Sequence, residues 1–177
     1  YGMSEAGMIT SNPLNGERLP GTVGFTLPDI EVRVTSEDGT KLSSGKIGVL
    51  EVKGPNVFSG YWRRPELTAT EFRSDGFFIS GDMATVSASG RIKIVGRNRD
   101  LIISGGLNVY PNEIEDSLNI LPGIIESAVI GVIHPDLGES VVACIVTEAS
   151  FKCDENEIID ALKNQLASYK VPRRIIR

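Results

Sequence analysis

Three groups of residues in this chain have the types and spacing to handle a phosphorylated ligand. Ser4 and Glu5, within YGMSE at residues 1–5, set a hydroxyl beside a carboxylate. A hydroxyl can bond a phosphate oxygen, while a hard cation such as Mg2+ takes carboxylate oxygen. Asp82 follows Ser80 and Gly81 after an apolar run, so its carboxylate is expected to emerge at a strand end where a ligand can approach the backbone. A carboxylate accepting from two neighbouring hydroxyls is a usual grip on ribose. Arg97 lies beyond a second apolar run at 92–95, and a hairpin would return it to the side of Asp82. Gly105 and Gly106, after Leu101, Ile102 and Ile103, mark a place where the backbone takes positive φ or passes something closely. A thin, extended ligand could lie against such a wall.

Each feature has a plain alternative. Ser-Glu also begins helices, and Gly-Asp also makes turns. Asp82 and Arg97 could form an ordinary ion pair, and Gly105-Gly106 could be no more than a tight turn. Tyr1 could lie flat on a purine or simply pack. His134, the only histidine, precedes proline in a polar loop with no Ser or Cys nucleophile beside it, and reads as a surface residue rather than a general base. Lys170, Arg173 and Arg174 read as a solvated face with some attraction for phosphates.

The elements that must position these groups fall into two parts. Up to residue 98 the chain reads as short strands broken by turn chemistry: Ile30, Val32 and Val34 alternate with polar residues, Asp38-Gly39 supplies a reversal, and 47–52, 77–79 and 92–95 continue the pattern. This predicts a small, β-rich, barrel-like subdomain over 1–98. From 99 to 177 helical periods alternate with strands. Pro111 opens a helix carrying Ile114, Leu118 and Leu121, stopped by Pro122-Gly123. Strands follow at 127–133 and 141–147, joined by a loop at 134–138. Asp154 and Glu157 then form a capping box ahead of Ile158, Ile159, Leu162 and Leu166. The fold class is α+β, with a hinge between the two parts.

With 41% hydrophobic and 23% charged residues and a net charge of -5 over 177 residues, the composition offers no basic face for nucleic acid. A mononucleotide needs only local donors and a cation. Cys144 and Cys153 match neither a zinc spacing nor a disulfide scaffold, which points to a reducing, cytoplasmic setting. No apolar run reaches the 18 or so residues of a membrane span, and no targeting segment is visible. Nothing here speaks to the oligomeric state.

Together YGMSE, DGFFISGD and GRNRDLIISGGLNVYPNEIE resemble the adenylate-forming superfamily of acyl-CoA synthetases, peptide-synthetase adenylation domains and luciferases. The resemblance covers essentially the whole chain. It implies an enzyme that joins a carboxylate to ATP with Mg2+, giving an acyl-adenylate and pyrophosphate, and then passes the acyl group to CoA. It also implies roles: Tyr1 stacks on adenine, Ser4 contacts phosphate where threonine is commoner, and Glu5 ligates magnesium. Asp82 and Arg97 hold the ribose hydroxyls, Gly105 and Gly106 line the CoA pantetheine tunnel, and Arg99 takes a hinge position usually held by aspartate or lysine. Pro135-Asp136 and Gly138-Glu139 resemble a later motif read as structural.

KGPNVFSGYWRRPE, DGFFISGD and LNVYPNEIE are most similar to malonyl-CoA synthetases and methylmalonyl-using relatives, so the expected acid is malonate or methylmalonate. The alternatives are a fatty-acyl or aryl-CoA ligase, a carrier-loading adenylation domain, and a non-catalytic binding module. The phosphate-holding loop and catalytic lysine of the superfamily are expected before Tyr1 and after Arg177. The chain therefore reads as a C-terminal fragment, inactive alone, of an active parent.

Overall fold

The computed structural model describes residues 1–149 and 154–177; Cys153 lies outside the described residues. The chain divides into two compact units, Tyr1–Asn98 and Arg99–Arg177.

In the first unit β1 (Gly2–Met3) and β2 (Gly7–Met8) form a small antiparallel hairpin, and β3 (Thr10–Ser11) pairs with β4 (Phe25–Thr26). The turn of the first hairpin contains Ser4 and Glu5, so this pair starts no helix. The hairpin is narrow because Gly2 has no side chain: a Cβ there would lie 2.3 Å from the Gly7 carbonyl oxygen. The main sheet runs β5 (Glu31–Thr35), β6 (Gly48–Lys53), β7 (Phe78–Val86) and β8 (Ile92–Arg97), all antiparallel and in that spatial order. Asp38 makes the reversal after β5 by accepting the Thr40 N–H at 2.9 Å. Helix α1 (Pro65–Glu71), with proline in its first turn, fills the connection from β6 to β7.

The expected barrel-like subdomain is not there. The four-stranded sheet is open, with β5 and β8 at opposite ends of its order and unpaired with each other. Their free edges meet single residues instead, Lys41 against Thr35 and Gly24 against Ile92. Closure would require the two end strands of the sheet to pair with each other. Short strands and glycine turns look the same in an open sheet and a closed one.

Val34, Leu50, Val52, Ala84 and Ile92 pack with Ala6 and Ile9 to form the core. Strand β6, central in the sheet, is buried on both faces, and its Glu51 is fully buried. Arg33 Nε and Arg73 Nε each donate to Glu51 at 2.7 Å, and Thr35 Oγ1 donates at 2.9 Å. Arg33 also lies over the Phe77 ring at 3.9 Å. Both carboxylate oxygens are therefore engaged, Oε1 by Arg73 and Thr35 and Oε2 by Arg33.

The second unit has sheet order β10 (Leu107–Val109), β9 (Ile102–Ser104), β12 (Gly138–Thr147) and β11 (Ile124–His134), with β13 (Arg174–Ile176) parallel to β12. Helix α2 (Pro111–Asn119) starts on its proline and buries Ile114 and Leu118, while Leu121 packs from just beyond the helix. Helix α3 (Glu155–Lys163) opens on a capping box: the Asp154 side chain accepts the Glu157 N–H, and Glu157 accepts the Asp154 N–H. It contributes Ile158 and Leu162 to the core. The β11–β12 hairpin runs further than the predicted strands, pairing as far as His134 with Gly138, so only Pro135, Asp136 and Leu137 turn. Among the described residues no helix is long and apolar enough to cross a membrane.

Glu51→Ala leaves Arg73 without its carboxylate and Arg33 with Asp75 alone, and the expected loss of unfolding free energy is about 3 kcal/mol. Asp154→Ala, which removes one cap, costs about 1 kcal/mol. Urea titration checks both; a Glu51→Ala variant with the wild-type midpoint would contradict the assigned role of the network.

Candidate functional site

The site begins with an irregularity in β7. Ile79 pairs with Glu51, and the next pair is Met83 with Val49. Ser80, Gly81 and Asp82 therefore stand opposite Leu50 alone. The surplus length is taken up at Gly81, whose φ of 73° suits glycine. Ser80 locks the bulge: its Oγ donates to the Leu50 carbonyl at 2.7 Å and accepts the Asp82 N–H at 3.1 Å. Asp82 thus sits within β7, where a strand end was expected. The strand resumes its pairing on the far side of the bulge, and sequence periodicity does not show this.

Across the β7–β8 ladder the direct partner of Asp82 is Arg97, whose Nε lies 2.7 Å from Oδ1. Asp82 is only 3% exposed, while half of the Arg97 side chain reaches solvent. The Tyr1 phenol donates to the other oxygen, Oδ2. Burial and then the Asp82 carboxylate push the Tyr1 phenol well above its ordinary range, so it remains a donor at neutral pH. Beside Tyr1 is a cleft of about 410 Å³, lined also by Met8, Thr10, Asn12, Arg18 and Thr22.

Glu5 is positioned by an aromatic cluster. Tyr61 donates its hydroxyl to Glu5 Oε1 at 3.1 Å, and its ring packs edge-on against Phe58 at 4.8 Å. Phe58 in turn packs against Phe78 at 5.3 Å and donates its N–H to the Glu5 carbonyl at 2.8 Å. Burial and then the bond to Glu5 push the Tyr61 phenol up to about 12. Among the described residues Oε2 of Glu5 accepts no hydrogen bond, and no group of three or more His, Cys, Asp or Glu could hold a metal ion. A lone carboxylate with one uncommitted oxygen fits Mg2+, which commonly takes one or two carboxylates together with phosphate oxygens and water. Ser4 is exposed in the same turn.

Thus Tyr1, Asp82 and Arg97 come together, with Ser4 and Glu5 on the hairpin that starts beside Tyr1. The other predicted residues lie in the second unit. Arg99 is in a single 3-10 turn (Asn98–Asp100), largely exposed, 3.6 Å from Asp100. Gly105 and Gly106 form the β9–β10 turn with φ of 59° and 76°, and the Gly105 N–H donates to the Leu137 carbonyl at 2.9 Å. A cleft of about 580 Å³ in this unit is lined by Ser104, Gly105, Lys163, Tyr169 and Arg173. His134 is partly exposed, its Nδ1 accepting the Asp136 N–H at 3.2 Å. Sequence reasoning gave no role to Ser80 or Tyr61. For Ser80 a signal was present, since a hydroxyl two residues before a carboxylate can bond the local backbone.

The AMP-binding enzyme profile matches residues 1–62, and that of the AMP-binding enzyme C-terminal domain matches residues 113–177. ATP-bound MatB from Rhodopseudomonas palustris superposes with a TM-score of 0.96 at 52% identity, over 99% of this chain and 35% of that one. The amide bond synthetase McbA from Marinactinospora thermotolerans gives 0.90 at 33%, over 99% and 37%. Feruloyl-CoA synthase from Amycolatopsis is 41% identical over 99% of this chain and 36% of its own length. Long-chain-fatty-acid–CoA ligase from Yersinia pestis is 38% identical over 98% and 31%. The chain therefore spans about a third of the length of the curated relatives it matches.

Arg97→Ala leaves a nearly buried carboxylate with only a phenol, and the expected destabilisation is about 1.5 to 3 kcal/mol. Arg99→Ala, at an exposed position, should stay within about 0.5 kcal/mol. Chemical denaturation of the two variants checks the contrast; equal midpoints would contradict it.

Proposed function

Because the chain belongs to the AMP-binding enzyme family, we propose that the protein it is part of is an AMP-forming acid–thiol ligase. A carboxylate oxygen attacks the α-phosphorus of ATP, the bond to pyrophosphate breaks, and an acyl-adenylate results. The sulfur of CoA then attacks the acyl carbon, and AMP leaves. No protein nucleophile takes part, so the work of these residues is positioning and charge placement.

The observation that carries this reading is the Asp82 carboxylate, inset in the sheet, with Arg97 on one oxygen and the Tyr1 phenol on the other. A carboxylate has about four acceptor positions. Two adjacent ribose hydroxyls can donate to those left over, while the half-exposed guanidinium of Arg97 can turn toward the sugar oxygens. Tyr1 offers its ring to the adenine. Ser4 donates to a phosphate oxygen, and Glu5, held by Tyr61, would hold Mg2+, which when bound offsets the charge of the phosphates. Gly105 and Gly106 give the pantetheine arm of CoA a path free of side chains. Arg99, the first residue of the second unit, is the pivot for the change from adenylation to thiol transfer.

The proposed acid is malonate or methylmalonate. Support comes from 52% identity to MatB and from the stretches at 53–66, 75–82 and 107–115. In the intact protein, ATP and CoA offered with malonate, methylmalonate, a long-chain fatty acid and ferulate should yield AMP and acyl-CoA at the highest kcat/KM with malonate or methylmalonate. Equal use of all four would refute the choice of acid, and no AMP with any would refute the reaction. Asp82→Ala should weaken use of ATP by about 1.5 to 3 kcal/mol for each charged hydrogen bond lost.

A further inference from the structure

We propose that Ser80 is a positioning residue for ribose recognition: its hydroxyl pins the bulge that aims the Asp82 carboxylate, and so sets how well the enzyme distinguishes a nucleotide with both ribose hydroxyls from one lacking either. This rests on the assignment of Asp82 to the ribose.

Arg97 and Tyr1 act on the carboxylate oxygens of Asp82. Ser80 acts on the backbone beneath. Its side chain, on a residue 6% exposed, bridges the Leu50 carbonyl on β6 and the Asp82 N–H on β7. One hydroxyl thereby ties the bulged residue to the neighbouring strand and closes the bulge on itself. On the β8 side Asp82 is held by its pairing with Arg97; toward β6 Gly81 adds nothing to the hold of Ser80, because it has no side chain and a Cβ added there would meet nothing within 4 Å. Alanine at 80 would leave a buried acceptor and a buried donor unpaired. The relief of that cost is a shift of the bulge, which carries Asp82 with it. A binding group must hold within about 0.5 Å of its productive place to be effective.

A structural hydroxyl and a positioning one differ in a measurable way. If Ser80 only supports the sheet, its loss lowers the use of every nucleotide in proportion. If it aims Asp82, the loss falls on nucleotides that offer both hydroxyls. In the intact protein, kcat/KM for ATP, 2′-deoxy-ATP and 3′-deoxy-ATP is measured for wild type, Ser80→Ala, Ser80→Thr, Ser80→Cys and Asp82→Ala. Ser80→Ala should lower the preference for ATP over each deoxynucleotide about tenfold, with most of the change in KM for ATP. Ser80→Thr, which keeps the oxygen, should restore it to within about twofold. Ser80→Cys, near in size but a weak hydrogen-bonding group, should fall between and serves if the alanine variant does not fold. An unchanged preference in the Ala and Cys variants would overturn the proposal. Wild type that makes no AMP, or Asp82→Ala that keeps the full preference, would overturn the ribose reading beneath it.

Discussion

A carboxylate almost sealed from water must have its charge answered, and around Asp82 the answer comes from distant parts of the chain. Arg97 arrives through the β7–β8 register, Tyr1 through the N-terminal hairpin, and the bulge at Ser80 and Gly81 sets the height at which both meet the same group. Removing one partner of a buried charge costs several times what an exposed pair is worth. The Asp82 to Arg97 contact therefore constrains the first unit in a way that the exposed Lys163 to Asp160 pair, also at 2.7 Å, does not constrain the second.

The same sheet holds a second buried carboxylate, and the contrast shows which of the two can meet a ligand. Glu51 is fully enclosed, and both its oxygens are taken by Arg33, Arg73 and Thr35. Full enclosure leaves a small molecule no approach to it, and the cluster ties β5 and β6 to the segment before β7. Asp82 has one guanidinium, half in solvent, and one phenol beside an open cleft. Its neutralisation is sufficient for folding and incomplete for hydrogen bonding, which is the state a binding group requires.

The chemistry-bearing stretches were legible because they are local. Residue type and order alone place a hydroxyl beside a carboxylate at 4–5 and a carboxylate after Ser-Gly at 82. Local rules also gave the reversal at Asp38, the start of α2 at Pro111 and the capping box at Asp154, each fixed by contacts within a few residues. What escaped depends on pairing between distant segments. Whether short strands close into a barrel is decided by what β5 and β8 meet at their edges, and no window of sequence contains that information. The mid-strand place of Asp82 follows from a bulge defined against β6. The burial of Glu51 follows from the central place of that strand. Tyr61 supports Glu5 only because 58–61 folds back on the first hairpin.

A crystal structure of the intact protein with AMP tests the central claim most directly. Both ribose hydroxyls should lie within hydrogen-bond distance of the Asp82 carboxylate, about 2.5 to 3.0 Å, with Arg97 beside them and the adenine against the Tyr1 ring. AMP bound elsewhere, with the Asp82 to Arg97 pair undisturbed and closed to the sugar, would contradict it.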